Sequence, residues 1–202
     1  MTKKIAIIDY GLGNLRSVIR GLERAGSAAV ITNDATEIAA ADGIVLPGVG
    51  AFSEGMEQLG TLKETVIAAT RDVPLLGICL GMQMLLEKSE EHGEHSGLGL
   101  IPGQVRRFPR VPGQKVPHMG WNTVHLEVPD NPLFSGLPCD PYVYFVHSYY
   151  ADARPEFSLT TTHYICPFAS SIYHRNTYGV QFHPEKSGAM GLRLLKNFID
   201  MV

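Results

Sequence analysis

Short β-branched apolar runs alternate with stretches of helical period through the first half of the chain. Residues 4–9 form an apolar run ending on Asp9, the pattern of a strand buried on both faces. The turn Tyr10-Gly11-Leu12-Gly13 follows, and Asn14 is placed to cap a helix over 15–25, where Leu15, Val18, Ile19 and Leu22 recur at helical spacing. Gly26 stops that helix. A second strand is predicted over 28–32, Asp34 caps a short helix, and a third strand covers 43–46. Helical signals occupy 53–71 in two pieces; a fourth strand is predicted over 74–78 and a helix over 80–88. Strands alternating with helices in this way specify a parallel sheet covered on both faces. Such sheets bind ligands beyond the carboxyl ends of their strands, so the loops 10–14, 47–50 and the turn at Cys79 are expected to meet.

The pattern changes in the second half. Glycines and prolines crowd 97–128, and strands are predicted over 142–146, 158–162, 169–174 and 178–182, several in hairpin order. An amphipathic helix closes the chain over 187–201. The predicted fold class is α/β: an open, mainly parallel sheet with helices on both faces, plus additional antiparallel strands in the second half. No repeat, low-complexity tract or linker interrupts it, so residues 1–202 are expected to form a single domain.

Composition narrows the partners. With 45% hydrophobic and 18% charged residues, the chain can bury a full core. A net charge of −3 without a basic stripe argues against nucleic acid or an anionic membrane as the primary ligand. No apolar run approaches the roughly 20 residues that span a bilayer. The N-terminal segment from Met1 runs directly into the first predicted strand and lacks the h-region of a signal peptide. The three cysteines, Cys79, Cys139 and Cys166, are an odd set that suits a reducing cytoplasm better than a disulfide framework. Cys139 and Cys166 lie beside prolines and read as small loop or packing residues.

Cys79 differs. In Gly77-Ile78-Cys79-Leu80-Gly81 it stands between a predicted strand and a predicted helix, framed by glycines that let two backbones pass closely. This is the pattern of a nucleophile elbow, with the sulfur at a helix N-terminus where the thiolate is favoured. A thiol nucleophile needs a base, and the base an orienting group. Among eight histidines, His183 is the best candidate: it ends the strand-like run Gly179-Val180-Gln181-Phe182, Pro184 stops pairing after it, and Glu185 follows two residues on. The alternative is a strand-end histidine beside a solvated glutamate. The loop Pro47-Gly48-Val49-Gly50 could offer an amide from Val49 or Gly50 that, with the amide of Leu80, forms an oxyanion hole.

The other histidines compete less well. His92 and His95 lack further ligands at metal-binding spacing and read as a solvated loop, so no metal is expected. His118 and His147 lie in aromatic, loop-like surroundings, and His125, His163 and His174 read as surface or packing residues. Gly11-Leu12-Gly13 lacks the third glycine and the ribose-binding acid of a dinucleotide loop, so no cofactor is expected.

Three segments in this order, Leu46-Pro47-Gly48-Val49-Gly50, Gly77-Ile78-Cys79-Leu80-Gly81-Met82-Gln83 and Phe182-His183-Pro184-Glu185, resemble the class I (triad) glutamine amidotransferases. Asp9-Tyr10-Gly11-Leu12-Gly13-Asn14, Gly97-Leu98-Gly99-Leu100-Ile101-Pro102-Gly103, Pro117-His118-Met119-Gly120-Trp121-Asn122 and Lys186-Ser187-Gly188 resemble, more narrowly, the glutaminase subunits of imidazole glycerol phosphate synthases. The resemblance covers essentially the whole chain. It implies Cys79 as nucleophile, His183 as base and Glu185 as orienting acid. It implies that Gln83 and the segment His147-Ser148-Tyr149 hold the substrate glutamine. It also implies a (β/α)₈-barrel cyclase subunit as heterodimer partner, receiving the ammonia for histidine biosynthesis. Asn14, Met119, Trp121 and Lys186 are the candidate contacts with that partner. A glutaminase subunit of another synthase (anthranilate, carbamoyl phosphate or guanylate) and a non-catalytic module on the same fold remain the alternatives.

Overall fold

The structure, a computed structural model, describes residues 3–202; Met1 and Thr2 lie outside the described residues. The first half alternates as expected: β1 (Lys4–Ile8), α1 (Leu15–Ala25), β2 (Ala28–Thr32), α2 (Ala35–Ala39), β3 (Gly43–Gly48), α3 (Phe52–Leu59), α4 (Leu62–Ala69), β4 (Leu75–Cys79) and α5 (Leu80–Met84). The second half holds β5 (Lys88–Ser89), β6 (His95–Ser96), β7 (Gln104–Arg107), β8 (His118–Thr123), β9 (His125–Leu126), β10 (Tyr142–His147), β11 (Tyr149–Asp152), β12 (Ser158–His163), β13 (Pro167–His174), β14 (Thr177–Val180) and α6 (Gly188–Met201).

The main sheet runs β2-β1-β3-β4-β14-β13-β11-β7-β5-β6, with β12 and β9 branching from β13. It is parallel from β2 through β14 and turns antiparallel at β13. Side chains of β1 alternate between two apolar layers, as a period of two requires. Ile5 and Ile7 pack with Val18 and Leu22 of α1 and Leu194, Leu195 and Phe198 of α6. Ile8 packs on the other face with Ile38, Phe52 and Met56. β8 and β10 form a separate antiparallel ribbon in which His118 stands opposite His147 and Trp121 opposite Tyr144.

Several boundaries depart from the sequence reading. The helix predicted over 80–88 ends at Met84. The carbonyls of Met84, Leu85 and Leu86 are taken instead by the amides of Leu98, Leu100, Ile101 and Gly99. Gly97 permits that approach: a Cβ there would lie 2.1 Å from the Leu86 carbonyl oxygen. β14 stops at Val180, so His183 does not end a strand; it sits at the N-terminal end of a 3₁₀ turn, Pro184–Lys186. His118 and His147 belong to strands rather than loops. Asn14 occupies the cap position of α1 but its side chain makes no cap bond; its backbone carbonyl accepts from Ser17 and Val18 instead.

Candidate active site

β4 ends on Cys79 and α5 begins on Leu80, so the strand reverses into the helix without a linker. Cys79 bears the turn at φ 54°, ψ −107°, a backbone state that costs an L-residue about 1–3 kcal/mol. The framing glycines are required by contact. A Cβ on Gly81 would lie 1.8 Å from the Leu46 carbonyl oxygen, and one on Gly77 would lie 2.8 Å from the backbone of Gly81. The predicted close passage of backbones is therefore real, and it presents Cys79 at the carboxyl edge of the sheet.

His183 is fixed by its backbone. Its amide donates to the Tyr144 carbonyl (2.9 Å). The Ser187 hydroxyl donates to the His183 carbonyl (2.6 Å) and accepts from the Tyr144 amide (3.0 Å). His183 Nδ1 donates to Glu185 Oε1 at 2.8 Å, with both side chains almost wholly buried. A carboxylate only accepts here, so the proton sits on Nδ1 in the neutral ring and Nε2 is left for chemistry. Nε2 is buried and makes no closed hydrogen bond. Burial alone would pull this imidazole down; the neighbouring Cys79 sulfur and the Glu185 carboxylate outweigh it and hold the pKa up to about 9. The group is thus near the sulfur and charged at neutral pH, although no tight Cys79–His183 bond has formed.

Cys79, His183, Val49, Gly50 and Leu80 line one cavity of about 380 Å³, together with Gln83 and the segment of His147, Ser148 and Tyr149. The triad candidates, the oxyanion candidates and the substrate-binding candidates are therefore brought together. The loop 10–14 does not line this cavity. It reaches the site indirectly, through the Tyr10 hydroxyl, which donates to the Pro47 carbonyl at 2.7 Å. Burial holds that phenol well above its ordinary pKa, so it remains a donor.

Residues 6–202 match the glutamine amidotransferase class-I family. The chain belongs to that family. It is 52% identical to the imidazole glycerol phosphate synthase subunit HisH of Methanosarcina barkeri, over 98% of this chain and 99% of that one. It is also 52% identical to the HisH subunit of Moorella thermoacetica, over 99% and 96% of the two chains. Among solved structures, PurLQS from Thermotoga maritima aligns with a TM-score of 0.74 at 16% identity, covering 99% of each chain, which speaks for the fold alone.

Two groups at this candidate site escaped the sequence reading. Glu91 directly precedes His92, in the stretch that reads as a solvated loop. It is buried instead, its Oε2 accepts from the Phe52 amide at 2.7 Å, and it lines the cavity with Cys79. Nothing local in the sequence distinguishes it from Glu90. Gln181 is fully buried; its Nε2 donates to Cys79 Sγ at 3.7 Å and its Oε1 accepts from Gln83 Nε2 at 3.0 Å. A polar residue inside the apolar run 179–182 was the available signal for it. Gln83 Nε2 also donates to the Tyr149 carbonyl at 2.9 Å.

None of the four candidate contact residues lines the cavity. Met119 (63% exposed) and Trp121 (55% exposed) project from the outer face of the ribbon. The Trp121 ring meets the Tyr144 ring edge-on at 6.1 Å, and Lys186 Nζ lies 5.9 Å from the Tyr144 ring. A core role for Trp121 is excluded by this exposure. Asn14 is half-buried. Among the described residues, no group of three or more His, Cys, Asp or Glu side chains is arranged to hold a metal ion.

Proposed function

We propose that this chain is the glutaminase subunit of an imidazole glycerol phosphate synthase, with Cys79 as nucleophile, His183 as acid and base, and Glu185 as the orienting acid. The observation that carries the proposal is the convergence of these three side chains in a chain 52% identical, end to end, to HisH subunits. The Cys79 sulfur attacks the side-chain amide carbon of glutamine. The developing oxyanion is held by the Leu80 amide and by an amide of Val49 or Gly50. His183 Nε2 delivers its proton to the leaving nitrogen, ammonia departs, and a γ-glutamyl thioester remains. Water then gives a proton to His183 and attacks the thioester, releasing glutamate and the Cys79 thiolate.

The cavity suits an amino-acid head group. The Glu91 carboxylate and the Gln83 carbonyl oxygen oppose its ammonium, and the backbone of residues 147–149 meets the rest of the head group. The ammonia passes to a (β/α)₈-barrel cyclase subunit in a heterodimer, for histidine biosynthesis. Free ammonia is protonated at neutral pH and would lose its nucleophilicity in bulk water, so a dry path is needed. The exposed residues Met119, Trp121 and Lys186, together with Asn14, form the docking face. A cytoplasmic location fits the cysteine usage, and no helix among the described residues is long and apolar enough to cross a membrane.

The test is to assemble the complex and compare glutamine-dependent with ammonia-dependent synthesis. Cys79→Ala should abolish the first and leave the second intact. Loss of both from an assembled complex would overturn the division of labour.

A further inference from the structure

The buried face of the β8–β10 ribbon carries a hydrogen-bond chain whose direction can be worked out atom by atom. The Asn122 amide oxygen accepts from the Thr123 backbone amide at 2.8 Å, which fixes the side-chain orientation and leaves Nδ2 as donor. That Nδ2 donates to the His163 carbonyl (3.1 Å) and to His118 Nε2 (3.3 Å). His118 Nε2 is therefore an acceptor, and its proton resides on Nδ1. His118 Nδ1 lies 2.9 Å from His147 Nε2, so it donates there. At the far end His147 Nδ1 lies 2.9 Å from the Tyr149 carbonyl, which can only accept. The two ends demand the same tautomer at each ring, with both imidazoles neutral and protonated at Nδ1.

The surroundings favour that state. His118 is stacked between Phe145 (4.7 Å) and Tyr164 (4.1 Å), and Phe108 and Phe168 pack against His147. Burial lowers the His118 pKa to about 4. It lowers that of His147 to about 3 against the opposing bond to Tyr149, aided by the nearby His118 and His183.

The chain ends where the glutamine site begins. The Tyr149 carbonyl also accepts from Gln83, and Gln83 holds Gln181, which donates to Cys79. It starts on β8, the strand whose alternate residues Met119 and Trp121 are exposed on the opposite face. We propose that Asn122, His118 and His147 are positioning residues, a one-way hydrogen-bond relay that sets the Tyr149 carbonyl and so ties the geometry of the glutamine pocket to the position of the ribbon. The inference rests on the glutaminase reading and deepens it: partner docking on the outer ribbon face is registered in the pocket through the inner one.

The test combines a spectroscopic and a kinetic measurement on the full chain. Long-range ¹H–¹⁵N imidazole spectra should place both His118 and His147 in the neutral Nδ1–H form at pH 7, and their signals should move when the cyclase subunit is added. Either ring found in the Nε2–H form, or charged at pH 7, overturns the relay. His118→Phe keeps the stack with Phe145 and Tyr164 but removes the donor to His147. In the assembled complex it should raise the glutamine KM roughly fivefold, the worth of one neutral hydrogen bond, with kcat within about twofold. An unchanged KM with normal folding overturns the relay as well. If His118→Phe fails to fold, the wild-type spectra still decide. Failure of the glutaminase reading would look different: the wild-type complex would release no glutamate, whatever the tautomers.

Discussion

Gly81→Ala isolates the requirement of the elbow for close backbone passage. The added methyl would sit 1.8 Å from the Leu46 carbonyl oxygen and 2.8 Å from the Leu46 carbonyl carbon. Carbon and oxygen do not approach below about 3 Å, so β3 and α5 must separate by roughly 1.2 Å or more. Both colliding groups are backbone, so no rotamer change relieves the contact. Overpacking of this kind costs about 1–3 kcal/mol, more where the neighbours are held in a sheet. β3 is held by β1 on one side and β4 on the other. The same displacement moves Leu80 relative to the Val49 and Gly50 loop, and a misplacement of about 1 Å costs on the order of 10²-fold in rate. Urea unfolding followed by circular dichroism should show a lowered midpoint, and glutamate release by the complex should fall by about that factor. Gly99→Ala is the control: a Cβ there meets nothing within 4 Å, and only its φ of +64° opposes the change, so glutamate release should be retained. A Gly81→Ala enzyme with an unchanged midpoint and turnover within about threefold of wild type would refute the reasoning.

Glu185→Gln keeps the volume beside His183 but removes the charge, and should lower kcat on the order of 10³–10⁴-fold; steady-state kinetics near wild type would remove Glu185 from the triad. Glu91→Gln can still accept from the Phe52 amide yet cannot oppose an ammonium, so the glutamine KM should rise roughly 10- to 100-fold with kcat little changed; a kcat effect at constant KM would contradict the assigned role. The folded pKa values of His118 and His147, about 4 and about 3, lie below the unfolded value, so the unfolded chain binds more protons in that interval. Their contribution to stability is full above about pH 6.5 and is lost as the pH falls toward those values, by a few kcal/mol in order of magnitude. His183 runs the other way, its contribution being present below about pH 6.5 and lost as the pH rises through about 9. Urea midpoints at pH 7 and pH 5 test the acid limb, and a His118→Phe, His147→Phe double variant that kept the same slope would contradict it.

The parallel half of the fold was legible because apolar runs such as 4–8 are bounded by turn glycines and followed by helical periodicity. Asp34 was readable as a cap for the same local reason, and its side chain accepts from Thr36 and Glu37. The cysteine elbow was readable because its constraint is local too: glycine at two fixed offsets from a residue that must turn sharply. What escaped was non-local. The early end of α5 depends on carbonyls captured by residues 98–101, a contact that helical periodicity over 80–88 cannot report. Glu91 is buried where its carboxylate accepts from the Phe52 amide of α3, a partner distant in sequence. The pairing of His118 with His147 follows from ribbon register between strands separated by residues 124–141, and nothing local to either histidine reports the other.

The ribbon also constrains how this chain can change length. Side chains alternate along β8, so which residues turn to solvent and which turn to the buried aromatic cluster is set by odd and even positions. Inserting or deleting one residue within it would exchange the two sets, carrying Trp121 inward and the relay histidine out to water. Insertions in the connections 109–117 and 127–141 leave that parity untouched. Variation in length is therefore expected to gather in those connections, while the span from His118 to Thr123 behaves as a fixed ruler between two surfaces.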